Sequence, residues 1–189
     1  MPEAPPRTLE LTDPRALRAV AHPLRLALIG LLRTGGPLTA TEAGERLGES
    51  PANCSFHLRQ LAKHGLVEEA GRGPGRQRHW RATAQFTTVP GAATGDLGAA
   101  VSQFKAVLAQ RYFDRLMSWL RRQPHETEEW RSSEIFGDSY LYLTSAEMRR
   151  LGVQLWELLE PYHVRTADPE QRPPGSRLVT LVRLAFPEP

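Results

Sequence analysis

Between residues 13 and 65 the apolar positions recur at helical spacing, and each run is closed by its own turn signal. Leu24, Leu26, Leu28, Ile29, Leu31 and Leu32 make residues 22–33 apolar almost all round, so this helix belongs at the centre of a domain. Asp13-Pro14 opens a shorter helix before it, to about Val20, and Gly35-Gly36-Pro37 ends the longer one. Two short helices follow. The first is expected to be capped by Thr41, to turn Ala43, Gly44 and Leu47 inward and to stop at Gly48. The second starts at Ser50-Pro51, a serine N-cap with proline in the first helical position. It runs to about His64, where Gly65 suits the left-handed residue that closes a helix. The period then changes to that of a hairpin, with strands at 66–69 and 77–81 around a Gly71-Arg72-Gly73-Pro74-Gly75-Arg76 turn.

Further along, residues 84–96 read as a linker of small residues and turn signals. A long helix over 97–122 carries Leu97, Val101, Phe104, Leu108, Tyr112, Leu116 and Trp119 on one stripe, widened by Ala100, Val107, Phe113 and Leu120. A stripe this wide needs a partner surface. Residues 133–143 have strand character. Thr144-Ser145-Ala146-Glu147 is a capping-box pattern that opens a helix to about Tyr162. A Pro-rich loop at 166–175 leads to a second strand at 176–186, apolar on both faces and therefore expected to be buried on both. The expected organisation is a disordered segment 1–10, a first domain 11–83, a linker 84–96, the long helix 97–122, and a small α/β accessory domain 123–189. The fold class is α+β, mainly α with a little β.

The helix over 51–64 has two faces. Cys54, Leu58 and Leu61 form the inward stripe, with His57 at its edge; Ala52, Phe56, Arg59 and Lys63 lie opposite, flanked by Asn53, Ser55 and Gln60. An outward face that is small and polar at its start and cationic at its end suits a helix lying in a DNA major groove. The hairpin tip has glycines and two arginines in place of core side chains, which suits a phosphate backbone or minor groove. Charge follows the same division. Residues 50–83 hold six basic and two acidic side chains, net +4, whereas residues 84–189 hold 12 basic and 13 acidic, net −1. The candidate DNA contacts are Ser50, Ala52, Asn53, Ser55, Phe56, Arg59, Gln60, Lys63, Arg72, Arg76 and Arg78. Asn53 and Arg59 are placed at base edges, and Lys63, Arg72, Arg76 and Arg78 on phosphate.

The helix-turn-helix with its wing resembles the winged helix-turn-helix of ArsR/SmtB-type bacterial transcriptional repressors. Asp13-Pro14-Arg15, Ala21-His22-Pro23-Leu24-Arg25, Ser55-Phe56-His57-Leu58-Arg59-Gln60-Leu61 and Gly65-Leu66-Val67 carry the resemblance, over about residues 10–83. It implies that residues 11–83 are a DNA-binding domain. It also implies that the helix after the wing pairs with its twofold mate, which makes Leu97, Val101, Phe104, Leu108, Tyr112, Leu116 and Trp119 the expected homodimer interface. The implied function is a transcriptional regulator, a homodimeric repressor on an inverted-repeat operator. The alternative is a winged-helix module that binds protein and not DNA.

The residues give little support to other chemistry. Relatives that sense metals use a cysteine pair on the first helix of the helix-turn-helix, where ATEAGERLG has none, or histidine and acidic residues on the dimer helix, where residues 102–120 offer Asp114 without a histidine. His125 and Glu129 have ligand-compatible spacing but no further placed ligand, so a solvated acidic loop is the expectation there. Cys54 is expected to be a core residue, and no phosphate-binding glycine loop precedes a helix. No metal, cofactor or catalytic activity is expected. Trp130, Phe136, Tyr140, Tyr142 and Trp156 are either the core of the accessory domain or the lining of a pocket for a small-molecule effector. Of 189 residues, 40% are hydrophobic and 24% charged, the single cysteine allows no internal disulfide, and no 18-residue apolar run occurs. With no leader pattern in the first ten residues, the expected location is the cytoplasm.

Overall fold

The computed structural model describes residues 7–72 and 78–188, the side chains of Arg72 and Ala167 excepted. Helices α1 (Pro14–Val20), α2 (Pro23–Gly35), α3 (Ala40–Leu47) and α4 (Pro51–Lys63) form a cluster. Strand β3 (Val67–Arg72) pairs antiparallel with β4 (Arg78–Ala82), which also pairs with the two-residue β2 (Leu38–Thr39) through Leu38↔Trp80. The chain then forms β5 (Phe86–Thr88), the 28-residue α5 (Gly95–Arg122), a short α6 (Glu128–Ser132) and α7 (Ser145–Ala167). The α+β class, helical with a small sheet, is the one expected from the periodicity.

The local rules place the helix ends well. Asp13 caps α1 and Ser50 caps α4, each accepting a backbone N–H, with proline at the first turn of both helices. Gly48 and Gly65 take the left-handed conformation that ends α3 and α4. The cap of α3 is Thr39, not Thr41. Thr39 Oγ1 accepts from the Glu42 N–H at 3.2 Å, and the Glu42 carboxylate accepts from the Thr39 N–H at 2.7 Å. This two-way capping box satisfies two otherwise orphaned groups, an advantage Thr41 lacks because Gly44 stands three residues on.

The core is built from Leu17, Val20, Leu28, Ile29, Leu32, Leu58, Leu61, Leu66, Val67 and Trp80. Cys54 lies in it, fully buried. The N-terminal half of α5 contributes Ala100, Val101 and Phe104, with Leu97, Val107 and Leu108 packed against the same cluster. Val101 and Phe104, expected at a dimer seam, thus cover their own chain, with Leu97 and Leu108 packed beside them. The reason is α1, which lies alongside α5 and buries Ala16, Leu17 and Val20 in the same core. Of the expected seam, Tyr112, Leu116 and Trp119 lie beyond that contact and stay half-buried.

Several segments depart from expectation. Thr8–Glu10, read as disordered, is β1, and it pairs in parallel with β5 inside the expected linker. Arg33 joins that linker to α2 by donating to the Ala84 carbonyl at 2.9 Å and to Thr87 Oγ1 at 2.6 Å. Burial holds its guanidinium down to about 10. Residues 126–129, read as a loop, run into α6. Finally, neither 133–143 nor 176–186 is a strand: residues 133–144 and 177–188 adopt no regular secondary structure. A strand needs a hydrogen-bonding neighbour, and neither segment finds one in its own chain.

Candidate DNA interface

The capping box of α3, the outer face of α4 and the strand β4 surround one open groove. Thr39, Ala40, Thr41, Ser55, Arg59, Arg78 and Trp80 line it. Trp80 is its floor, buried by the β2 and β4 pairing, so the groove's shape depends on the small sheet. Thr41 is the residue that reading the sequence missed here, having been assigned to the cap. The Thr39-x-x-Glu42 pattern would have released it.

The α4 side chains fall as the helical wheel dictates. Cys54, His57, Leu58 and Leu61 are buried, while Ala52, Phe56, Arg59 and Lys63 are exposed. Asn53, Ser55 and Gln60 are intermediate. Ser50 is engaged as the cap, accepting from the Asn53 N–H at 3.2 Å. The Asn53 amide donates to the Glu49 carboxylate at 2.9 Å, so a base edge would have to displace that acceptor. Arg59 and Lys63 have no carboxylate partner among the described residues.

The wing is partly self-neutralised. Arg78 donates to Glu69 at 2.7 Å and Arg81 to Glu68 at 2.8 Å, both across the hairpin. These exposed pairs are worth little in stability and are open to competition from phosphate. Arg76 and the Arg72 side chain, expected at the tip, lie outside the described residues. Among the candidate contacts that are described, the cations without an acidic partner are Arg59 and Lys63 of α4.

Beneath α4 the His22 and His57 rings stack with centroids 4.6 Å apart. His22 Nδ1 accepts the Leu24 N–H at 3.2 Å and so caps α2. His57 Nδ1 is buried with no hydrogen-bond partner, and Phe56 stands edge-on to its ring. Burial holds both imidazoles below their ordinary value of 6.5; Arg25 lowers both further, His22 also lowers His57, and Glu49 partly opposes this at His57. A depressed histidine is neutral in the fold, so its contribution is intact above about pH 6.5 and is lost as pH falls through the folded values. The melting temperature is expected to be flat from pH 8 to 7 and to fall progressively below 6.5. In His57→Phe that acid limb should be shallower; parallel curves for the two proteins would assign the pH dependence to other groups.

Cys54 is a core thiol. Burial raises its pKa, and Glu49 adds to the effect, so it has no thiolate character. Among the described residues no group of three or more His, Cys, Asp or Glu side chains is arranged to hold a metal ion, and no helix is long and apolar enough to cross a membrane.

The five aromatic residues expected around a pocket do not converge. Phe136, Tyr140 and Tyr142 are exposed, at 73%, 84% and 107%. Trp130 lies beneath the Arg177 guanidinium at 4.8 Å, and Trp156 packs against Phe86 and His163 at 4.6 and 4.8 Å. They sit on different elements because the sheet that was to assemble them is absent.

A helix-turn-helix domain family model matches residues 20–70, spanning α2 to β3. Among solved structures, the chain is similar to one titled "Crystal structure of Possible transcriptional regulator for arsenical resistance". The two are 27% identical, and the match covers 55% of this chain and 93% of that one at a TM-score of 0.33. No curated protein matches. With the family match over α2 to β3, and with the β3–β4 wing completing the capped helices, this part of the chain is a winged helix-turn-helix domain.

Proposed function

We propose that the protein binds duplex DNA as a homodimer and represses transcription from an inverted-repeat operator. The observation that carries the DNA reading is the outer face of α4, where Arg59 and Ser55 border an open groove with Thr41 and Arg78. Two such helices related by a twofold axis would enter successive major grooves, giving half-sites about 34–36 Å apart. Arg59 reads a base edge, Lys63 and the wing arginines hold phosphate, and Asn53 exchanges Glu49 for a base.

Arg59→Ala should lower affinity for the operator by about 1–3 kcal/mol in each half-site and leave binding to random duplex almost unchanged. The paired change Arg72→Ala with Arg76→Ala should do the reverse, weakening all sequences alike. Each lost phosphate contact lowers the salt slope by about 0.9, so four across a dimer lower it by as much as about 3.6. Gel-shift titrations on operator and random duplex from 50 to 200 mM salt (roughly the range over which such contacts register) separate the two. Absence of salt-sensitive binding at the lowest salt would instead favour a protein-interaction module.

A further inference from the structure

Among the described residues from 105 to 188, not one is buried. This half of the chain is nonetheless rich in apolar side chains: Phe113, Ile135, Phe136, Tyr140, Leu141, Tyr142, Val153, Leu158, Tyr162, Leu178, Val179, Leu181, Leu184 and Phe186 are each more than half exposed. The chain exposes 13,495 Å² in all. A compact monomer of 21.2 kDa would expose roughly 9,000 Å². The excess, roughly 4,400 Å² per chain, is more than each subunit of an obligate homodimer commonly contributes, about 1,000–2,500 Å².

The two bare segments are held in place, not trailing. Glu134, at the head of the first, accepts from the Trp119 indole N–H at 2.8 Å and from the Gln123 amide. Arg177, at the head of the second, makes a two-pronged contact with Glu126 at 2.7 and 2.9 Å and covers Trp130. Three residues on, Thr180 accepts from Arg115 of α5 at 3.1 Å. Both segments therefore start from the C-terminal end of α5, and beyond these pins their main-chain groups from 135 to 143 and 178 to 186 have no described backbone partner. Residues 178–186 form a nearly continuous apolar run, as a strand buried on both faces does, and 140–143 form a shorter one.

From this we infer that residues 105–188 complete their core only with a second copy of the chain, the segments 135–143 and 178–186 pairing with the partner's to form an intermolecular sheet over α5 and α7. This rests on the homodimer in the proposed function but not on DNA binding. It accounts for apolar segments with neither a neighbour nor cover in one chain, since a twofold pair supplies both. It also makes the regulator a dimer interlocked through residues 105–188.

The test is hydrogen exchange of the full-length protein, read by mass spectrometry alongside its mass by light scattering. The expected result is a dimer in which amides of 135–143 and 178–186 are protected at least about a hundredfold, with protection lost together as dilution lowers the dimer fraction. The double change Leu181→Asp with Leu184→Asp should raise the self-dissociation constant more than a hundredfold while α1 to α4 stay protected. A dimer whose two segments exchange freely would overturn the inference and leave a dimer through α5 alone, with the regulator reading intact. Protection in a monomer would also overturn it, by placing the strand pairing within one chain. A monomer that binds operator DNA would remove the homodimer itself while retaining the DNA reader.

Discussion

Gly44→Ala is expected to destabilise the protein and to abolish operator binding, although alanine is the better helix former. On α3 an alanine in place of glycine normally gains about 0.5–1 kcal/mol. Here the added methyl would stand 2.5 Å from the Glu49 carbonyl oxygen, with the Pro51 nitrogen at 3.4 Å. Both are main-chain atoms, one in the turn after α3 and one at the start of α4, so they cannot swing aside as a side-chain tip does. The Gly44 carbonyl also accepts the Gly48 and Glu49 N–H groups, so the turn is folded back onto this residue. Relief requires α4 to move away from α3, at a cost of about 1–3 kcal/mol. Gly30→Ala on α2 is the matched control. Its nearest neighbour is the tip of Arg111 at 3.0 Å, a flexible group, so that variant should keep its stability and its DNA binding. Thermal unfolding and gel shift of the pair decide the matter: equal stability for the two would mean the α3–α4 turn has slack that the geometry denies.

Leu58→Ala should cost about 2–5 kcal/mol, or roughly 5–20 °C in melting temperature. Leu58 is fully buried, and so are Cys54 and Leu61 on the same face of α4. Truncation leaves a cavity beneath the DNA-reading helix, against a total stability of about 5–15 kcal/mol for a domain. Binding to every sequence should fall together, because the helix loses its seat and not its contacts. Arg59, the next residue, is exposed, and Arg59→Ala should leave the stability within about 0.5 kcal/mol of unchanged. Unfolding curves and operator titrations on the two variants should therefore give opposite phenotypes from adjacent positions. If Leu58→Ala melted like the parent and lost only operator affinity, the assignment of the two faces would be wrong.

The DNA-reading half was legible in the sequence because its signals are local. Caps at Asp13 and Ser50, left-handed glycines at 48 and 65, and the 100° spacing of Cys54, Leu58 and Leu61 act within a few residues of each other. Where one local signal was misread, at Thr41, a second local signal three residues after Thr39 held the correction. The misplaced features depend on distant partners. Thr8–Glu10 forms a strand only because Phe86–Thr88 lies beside it. Val101 and Phe104 face inward only because α1 folds back along α5.

What the sequence by itself determined is the order of α1 to α4 and the β3–β4 hairpin, the inner and outer faces of α4, and the concentration of cations on residues 50–83, because periodicity and capping bind each residue to its neighbours. The tertiary structure decided which apolar stripes are already covered. It closed the N-terminal half of α5 against α1, set Arg78 and Arg81 against Glu69 and Glu68, and left 135–143 and 178–186 without a neighbour. Hydrophobic pattern states that a surface must be buried, but the same pattern serves a partner in the chain or in another molecule. Only the positions of all the other surfaces distinguish the two.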